Sequence, residues 1–487
     1  MPPSGTPRFD PGSFRDPDTR VFHHDGAVFR ALSERALAEW RQLAGTRFYE
    51  RLSAQGRLIG TREANGREAL PELAAAWAGV LEHERLPVIS YPYEWSFGML
   101  QDAALLQLDL TLAALDEAMT LKDATPFNIQ WIGARPTFID MGSFTAYEPG
   151  APWAGYRQFC ETFLYPLLLQ AYRNLPFQPW LRGRLDGMRA EECRSCLSAR
   201  DYLRPGVLAH VYLQAKAQAR FEDSDVDVKE ALHAAGFGAG LIRNNVSRLR
   251  RTVAGLRWKP ARSTWSDYQR THSYDDADLE RKTDFVSRVL RTRRWPLVWD
   301  IGCNTGVYSR LAAGHADYVL ALDADQLVVE RLYRSLQAEA HGNVLPLVAD
   351  VADPSPGLGW RGQERRPLAD RAAPDLLLCL ALAHHVVIGR NVPLADFIAW
   401  LAGFGADVVL EFVDRGDPMV ERLLRNRREQ AIDYSREAAE ASLQNHFEIA
   451  GRETLASGTR TVYYCRPRHA RGGRATGFVD GSGHVEA

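Results

Sequence analysis

The chain has 487 residues, of which 46% are hydrophobic and 25% charged, and its formal net charge is −2. This composition is typical of a folded protein with two or three domains, and the small charge argues against nucleic acid as a partner. No apolar run is long enough for a membrane-spanning helix, and the first residues lack the order of a signal peptide. Six cysteines in so long a chain do not predict a disulfide framework, so we expect a cytoplasmic protein.

The first half of the chain is predicted to form an α+β domain over 19–215. The residues before it, 1–18, are rich in Pro, Gly and Ser and are expected to be a disordered tail. An alternating segment then predicts a hairpin that turns at Asp25–Gly26. A strand is expected at 57–63. Helical periodicity predicts helices at about 31–52, 68–82 and 97–118 and then through 155–215.

Three polar residues between 121 and 142 have the spacing of a phosphoryl-transfer site. Asp123 and Asn128 are five positions apart, and an apolar run twelve residues later leads to Asp140 and Gly142. This pattern resembles the catalytic lobes of protein kinases and aminoglycoside kinases. The resemblance implies that Asp123 accepts the proton of the attacking hydroxyl. It also implies that Asn128 and Asp140 hold magnesium with ATP, provided that the site is active.

The kinase-like pattern lacks one expected part. A kinase grips the phosphates of ATP with a cation on an early strand, but no lysine precedes Lys122, and there is no glycine-rich phosphate loop. Arg57 or Arg62 would have to substitute, although an arginine fork differs from the point charge of lysine. Three interpretations stay open: an active kinase for a small molecule or glycan, a degenerate kinase fold kept for binding, and a coincidence of spacing.

Residues 216–290 are predicted to form a helical linker. Its aromatic segment, 263–274, would act as a lid through Trp265, Tyr268 and Tyr274. Aromatic residues in such a place also serve as packing between domains, which is the alternative interpretation.

The second half opens with a strand, a glycine-spaced turn and a helix start, VWDIGCNTGVYS at 298–309. Asp300, Gly302 and Gly306 form Asp-x-Gly-x-x-x-Gly, which differs from the GxGxxG fingerprint that holds a pyrophosphate. Its glycines would let the backbone approach a ligand without a phosphate. The next strand ends in Asp323, whose carboxylate is suited to hold two ribose hydroxyls.

Further strand-like segments follow, separated by helical stretches, and predict a parallel sheet closed by an antiparallel hairpin. They are 344–350, 375–385, 406–413, 445–451 and 459–466. This half resembles the class I S-adenosylmethionine (SAM) methyltransferases, with their motif I at 298–309. The resemblance implies a Rossmann-like, seven-stranded α/β domain over 291–468, followed by a disordered tail at 469–487. The implied contacts are Asp300, Gly302, Asn304 and Gly306 to the methionine side of SAM, Asp323 to the ribose, and Asp350 with Val351 to the adenine.

Candidate catalytic residues follow the fourth and fifth strands of this domain. His384 and His385 lie where an acceptor would need a base that removes its proton, and packing is the alternative role. Glu411 would orient the acceptor or a histidine. In the loop after the third strand, Trp360 and Arg365 are expected to shape an acceptor site.

The sequence thus predicts a bacterial SAM-dependent methyltransferase for a small-molecule or glycan acceptor, with a kinase-like N-terminal domain. The alternative is a bifunctional enzyme that phosphorylates its acceptor and then methylates it. In reversed domain order, the chain is similar to the kinase–methyltransferases that cap bacterial O-antigen glycans, and the whole chain resembles nodulation-type (NoeA-like) methyltransferases. A non-enzymatic ligand sensor is the third hypothesis, against which the intact glycine motif argues.

Overall fold

The structure is a computed structural model, and it describes residues 7–64, 76–215, 238–259, 276–339, 342–425 and 434–468. The lid predicted at 263–274 and the tail predicted at 469–487 lie outside the described residues. Within the described part of the chain, no helix has both the length and the apolar character needed to cross a membrane.

The strands are numbered here in chain order. They are β1 Arg8–Phe9, β2 Thr19–His24, β3 Ala27–Leu32, β4 Thr61–Glu63, β5 Gly79–His83, β6 Met119–Leu121, β7 Ile129–Ile132, β8 Arg135–Phe138, β9 Phe144–Ala146, β10 Trp295–Ile301, β11 Ala316–Asp323, β12 Val344–Val348, β13 Leu376–Cys379, β14 Asp407–Val413, β15 Phe447–Thr454 and β16 Arg460–Pro467.

The α-helices are numbered in the same way. They are α1 Glu34–Ala44, α2 Arg47–Ala54, α3 Phe97–Asp116, α4 Tyr156–Phe159, α5 Tyr165–Arg173, α6 Gln178–Gly183, α7 Ala190–Ser195, α8 Ala239–Gly255, α9 Asp276–Leu290, α10 Val307–Ala313, α11 Gln326–Glu339, α12 Leu368–Arg371, α13 Leu394–Ala402, α14 Pro418–Leu424 and α15 Arg436–His446. Short 3-10 helices cover Pro92–Glu94, Pro126–Asn128, Met141–Ser143, Ala199–Leu203 and Trp360–Gly362, and π-helical turns cover Cys160–Leu164, Leu208–Tyr212 and His385–Gly389.

The chain divides into two compact units. The larger unit contains Gly5–His272 and Gly302–Ala372, and the smaller unit contains Met1–Ser4, Ser273–Ile301 and Ala373–Ala487. Residues 302–372, which the sequence predicts to be part of a domain over 291–468, therefore cluster with the N-terminal half.

An antiparallel sheet with the strand order β1-β2-β3-β5-β4 opens the larger unit. The hairpin between β2 and β3 turns at Asp25 and Gly26, whose φ angles are 47° and 81°. Two positive φ angles are what a type I′ turn requires, so the predicted hairpin is confirmed. Ser33 then caps α1, because its side chain accepts a hydrogen bond from the amide of Ala36.

Residues 7–18 are ordered, whereas the composition predicts a loose tail there. The strand β1 pairs with β2, and the Asp10 carboxylate accepts a hydrogen bond from the amide of Gly12 at 2.8 Å. Asp16 and Asp18 make further side-chain hydrogen bonds. Composition does not indicate this order, because Arg15 and Asp10 also pair with Glu364 and Arg366, which are far away in the sequence.

The prediction of a helix at 68–82 is wrong at its C-terminal end. There the chain forms the strand β5, which lies between β3 and β4. Residues 68–75 of that prediction lie outside the described residues. Hydrogen bonding to strands on both sides favours an extended backbone over the helix that local periodicity indicates.

Helix α3 forms the core of the larger unit. It is apolar nearly all round, which is typical of a buried helix. Ser96 caps it, and it packs against both α8 and α11. The helix α11 follows β11, so the segment after Gly302 shares its core with the N-terminal half.

Each strand segment predicted in the second half contains a strand. In the larger unit, β11 and β12 are parallel neighbours. In the smaller unit, β10, β13 and β14 are parallel, and β16 and β15 add antiparallel strands beyond β14. The predicted C-terminal hairpin is therefore confirmed, and the carboxyl ends of parallel strands lie at a common edge within each unit.

Candidate functional site

The predicted cofactor loop lies in the larger unit, between Gly302 and α10. Gly302 and Gly306 have φ angles of 77° and 80°, a region in which most side chains are strained. The amides of Gly302 and Cys303 both donate to the carbonyl of Leu322 on β11, at 2.8 and 3.0 Å. A Cβ atom on Gly306 would lie 2.5 Å from Cδ1 of Leu332, so the tight bend requires glycine at that position.

The Asp323 side chain faces this loop from the end of β11. One carboxylate oxygen, Oδ2, accepts a hydrogen bond from the Asn304 amide at 3.0 Å, and Oδ1 accepts one from the Asp325 amide at 2.9 Å. Burial raises the pKa of Asp323 to about 6, although these amide donors act in the opposite direction. The group is therefore a partly desolvated carboxylate beside a glycine bend.

Asp350 and Val351 follow the neighbouring strand, β12. The amide of Ala349 donates to the Asp323 carbonyl at 2.9 Å, which ties the two strand ends together. Asp350 accepts a hydrogen bond from the Ala352 amide at 2.9 Å. The structure thus brings the predicted ribose and adenine residues to one edge of the β11–β12 pair.

These residues fit a nucleoside ligand such as SAM. The tight bend packs against Leu332 because Gly306 carries no Cβ, and Asp323 offers a carboxylate that burial has already partly desolvated. Asp300 is buried at the end of β10 and belongs to the smaller unit.

In the smaller unit, His384 and His385 follow β13. The His384 side chain is fully buried, and among the described residues neither of its ring nitrogens has a hydrogen-bond partner. The two imidazole rings are 4.0 Å apart. Burial lowers the pKa of His384 well below its usual value and that of His385 to about 4, so both rings are neutral at pH 7.

Glu411 is part of a buried ionic network. It lies 2.6 Å from the Lys282 ammonium and 3.2 Å from the Arg460 guanidinium, and Arg460 also contacts Asp417 at 2.8 Å. Burial lowers the pKa of Lys282, while Glu411 acts to raise it. The carboxylate of Glu411 thus holds two cations in place, and contact with an acceptor stays a prediction for this residue.

A cavity of about 1410 Å³ in the larger unit contains the kinase-like residues. Asp123, Asn128 and Asp140 all line it. The Ser143 hydroxyl accepts a hydrogen bond from the Asn128 amide at 3.0 Å and donates one to Asp140 at 2.9 Å. Burial and the neighbouring Asp140 raise the pKa of Asp123. Within the described residues no group of three or more His, Cys, Asp and Glu side chains is arranged to hold a metal.

Sequence comparison decides the family. The chain is 34% identical over 460 residues to the nodulation protein NoeA of Rhizobium meliloti (strain 1021), which covers 93% of this chain and 94% of the relative. The chain belongs to the NoeA family. No model of a protein family matches this NoeA-family chain.

Among solved structures, the NoeA-family chain overlaps in part with several methyltransferases. The N-methyltransferase NodS of Bradyrhizobium japonicum WM9 is 12% identical, with a TM-score of 0.29 over 40% of this chain and 98% of NodS. A SAM-dependent methyltransferase of Aquifex aeolicus is 13% identical, with a TM-score of 0.30 over 42% of this chain and 98% of the other. Magnesium protoporphyrin IX methyltransferase of Synechocystis PCC 6803 is 19% identical, with a TM-score of 0.28 over 39% and 83%. Overlaps this partial do not establish a shared activity.

The NoeA-family chain has a cation in its cavity that the sequence did not indicate. Arg30, on β3, lies 2.7 Å from the Asp140 carboxylate and is nearly buried. The predicted substitutes are engaged elsewhere: Arg57 pairs with Asp109 and Arg62 pairs with Glu82. No local signal distinguishes Arg30 from other arginines, because its position depends on the pairing of β3 within the sheet.

Trp360 and Arg365, which the sequence predicts to shape an acceptor site, lie in the loop after β12. Trp360 is 66% exposed. Arg365 lines the cavity that holds Asp123 and Asp140. The loop thus belongs structurally to the N-terminal half, and its predicted role at a methyl acceptor is not visible in these contacts.

Proposed function

We propose that this chain is a SAM-dependent methyltransferase whose acceptor is a bacterial small molecule or glycan. The observation that carries the proposal is the Asp323 carboxylate, which hydrogen-bonds the Asn304 amide inside the glycine loop. The proposal includes a cytoplasmic location and a seven-stranded sheet formed by β10 to β16.

The chain's own residues would bind and orient the donor. Gly302, Asn304 and Gly306 would lie against its methionine side, Asp323 would accept hydrogen bonds from the ribose hydroxyls, and Asp350 with Val351 would contact the adenine. SAM supplies an electrophilic methyl group, so the protein's task is alignment and exclusion of water. Asp300, which precedes the loop, would support the methionine side.

Neutral imidazoles change the role that we assign to His384 and His385. A group with a pKa near 4 is a weak proton acceptor at pH 7. We propose that the fully buried His384 positions His385, whose ring centroid lies 4.0 Å away, and that the less buried His385 is the residue that contacts the acceptor. Glu411 would act as a positioning residue through Lys282 and Arg460.

The test is SAM binding by isothermal titration calorimetry with the full chain. We expect Asp323→Ala to weaken binding by about a hundredfold, because two charge-assisted hydrogen bonds are lost. Asp317→Ala is the matched control, since it removes an exposed carboxylate from the same strand. Equal affinity of the Asp323 and Asp317 variants would refute the ribose assignment.

A second candidate function, phosphoryl transfer, is favoured by the shared cavity of Asp123, Asn128 and Asp140. Their oxygen atoms are donors of the type that magnesium prefers, but Arg30 already contacts Asp140 at 2.7 Å. If ATP with magnesium is used, Asp123 would accept the proton of the attacking hydroxyl.

The test of this second candidate is ATP turnover. We expect magnesium-dependent turnover that disappears in Asp140→Asn and persists in Glu191→Gln, which changes an exposed acid on the same cavity. Absence of turnover in the unchanged protein would leave the cavity as a binding site only.

A further inference from the structure

The loop after β12 forms one wall of the large cavity. Leu358 and Arg365 pair as an antiparallel bridge, with backbone hydrogen bonds of 2.9 and 3.0 Å in the two directions. Gly359 turns this hairpin with a φ of 75°, and a Cβ there would lie 2.5 Å from the Glu364 carboxylate. The hairpin is therefore a tight structure that fixes the position of Arg365.

Ion pairs fasten the hairpin to the N-terminal half on both sides of Arg365. Glu364 accepts two hydrogen bonds from Arg15, at 2.8 and 2.9 Å. Arg366 donates to the Asp10 carboxylate at 2.8 Å, and its amide donates to the Tyr91 hydroxyl at 3.0 Å. The residues that flank Arg365 are thus anchored by partners of opposite charge.

Arg365 differs from these neighbours. Its guanidinium lies over the Phe127 ring, 4.3 Å from the ring centroid, beside Asn128 of the cavity. Its Nη1 atom donates to the Glu364 carbonyl at 3.1 Å, whereas its Nε atom has no hydrogen-bond partner among the described residues. Its ion pair with Glu364 is 3.7 Å long, beyond hydrogen-bond distance, and Glu364 is already engaged by Arg15. The hairpin therefore presents to the cavity a cation whose nearest carboxylate, Glu364, is shared with Arg15.

We propose that Arg365 is a ligand-binding residue of this cavity and that it recognises a phosphate group on an organic molecule. A guanidinium fork matches the paired oxygens of a phosphate, and the Phe127 ring beneath the guanidinium supports it by a cation–π contact. The cavity, at about 1410 Å³, has room for an organic group beyond the phosphate. The site is built from both halves of the sequence. It shares the cavity of the second candidate function but does not require phosphoryl transfer.

The test measures binding of inorganic pyrophosphate to the full chain by calorimetry at low ionic strength and without magnesium. We expect Arg365→Gln to raise the Kd about tenfold or more, since a charge-assisted hydrogen bond is lost. Arg365→Lys should fall between this variant and the unchanged protein. Arg361→Gln is the matched control, because it removes an exposed arginine from the same hairpin and should change the Kd by less than about twofold.

Three outcomes would overturn the proposal: no pyrophosphate binding, equal effects of the two glutamine variants, or binding of malonate as tight as that of pyrophosphate. Thermal unfolding of each variant shows whether it is folded, and SAM affinity measured in parallel reports the methyltransferase proposal separately. If pyrophosphate binds but SAM does not, the cavity assignment stands while the methyltransferase proposal fails.

Discussion

Asp323 combines a raised pKa with a position at the end of a strand, and its titration should control donor binding. Burial raises its pKa to about 6 from an ordinary value of 3.8. In the proposed ribose assignment only the ionised form accepts the hydroxyl groups, so SAM affinity should fall as the pH drops through 6, by about tenfold between pH 7.5 and 5. Calorimetry across this range measures the effect.

The pH dependence should disappear in Asp323→Asn, which has no carboxylate to titrate. His385 has a pKa near 4 and should not contribute between pH 5 and 7.5. In the absence of SAM, the effect of Asp323 on folding stability changes with pH in the direction opposite to its effect on SAM affinity. The raised pKa means that this group stabilises the folded chain fully below about pH 4, and that this contribution is lost as the pH rises through 6. Affinity that stayed constant down to pH 5 would contradict the assignment.

At the scale of single residues, the sequence predicts the positions of those residues that depend only on neighbouring elements of the chain. Asp323 could be found because it ends a strand that follows a glycine motif, and both signals lie within 30 residues or so of chain. Arg30 could not be found, since its meeting with Asp140 depends on pairing between distant segments. His384 was placed correctly after a strand, but its burial and lowered pKa follow from packing that one sequence does not contain.

Among the elements, α12 is held to the Pro92–Glu94 turn by a buried ion pair. Arg371 donates to Glu94 at 2.8 Å and to the Ile89 carbonyl at 2.6 Å, and both charged side chains are almost inaccessible. Removal of one partner leaves the other charge buried and unpaired. We expect Glu94→Gln to lower the free energy of unfolding by about 3 kcal/mol, as measured by urea denaturation.

Two controls distinguish this ion pair from a general effect of charge loss. The double replacement of Glu94 by Leu and Arg371 by Met should recover much of the lost stability, because no charge is left buried. Arg182→Ala breaks a more exposed pair with Asp353 and should cost less than about 1 kcal/mol. Equal losses in Glu94→Gln and Arg182→Ala would contradict the argument.

The elements of the second half were predictable because β10 to β16 are apolar runs separated by helical periodicity. Two failures share one cause. Local patterns predict a helix at β5 and a loose tail at 7–18, because β5 pairs with β3 and because Arg15 and Asp10 pair with Glu364 and Arg366, all distant in sequence. The ion pair of Glu94 with Arg371 joins positions 277 residues apart, a separation at which patterns carry no signal.

At the scale of the whole molecule, the compact units do not follow the two halves of the sequence. Glu330 on α11 accepts hydrogen bonds from the Ser96 hydroxyl at 2.7 Å and the Gly98 amide at 2.6 Å, at the start of α3. Tyr333, also on α11, donates to Asp102 at 2.6 Å. The helix that follows β11 is therefore packed on the N-terminal half.

This arrangement predicts that residues 291–468 will not fold as an independent methyltransferase domain. A fragment limited to them would expose the apolar side of α11 and lose the α3 partners of Glu330 and Tyr333. We expect no cooperative unfolding transition and no measurable SAM binding, whereas the full chain should unfold cooperatively. Differential scanning calorimetry and SAM titration of both proteins check this.

A fragment that unfolds cooperatively and binds SAM as tightly as the full chain would show that the N-terminal half is dispensable for the donor site. Addition of the N-terminal half as a separate chain should restore SAM binding if the loss comes from missing α3 contacts rather than from aggregation.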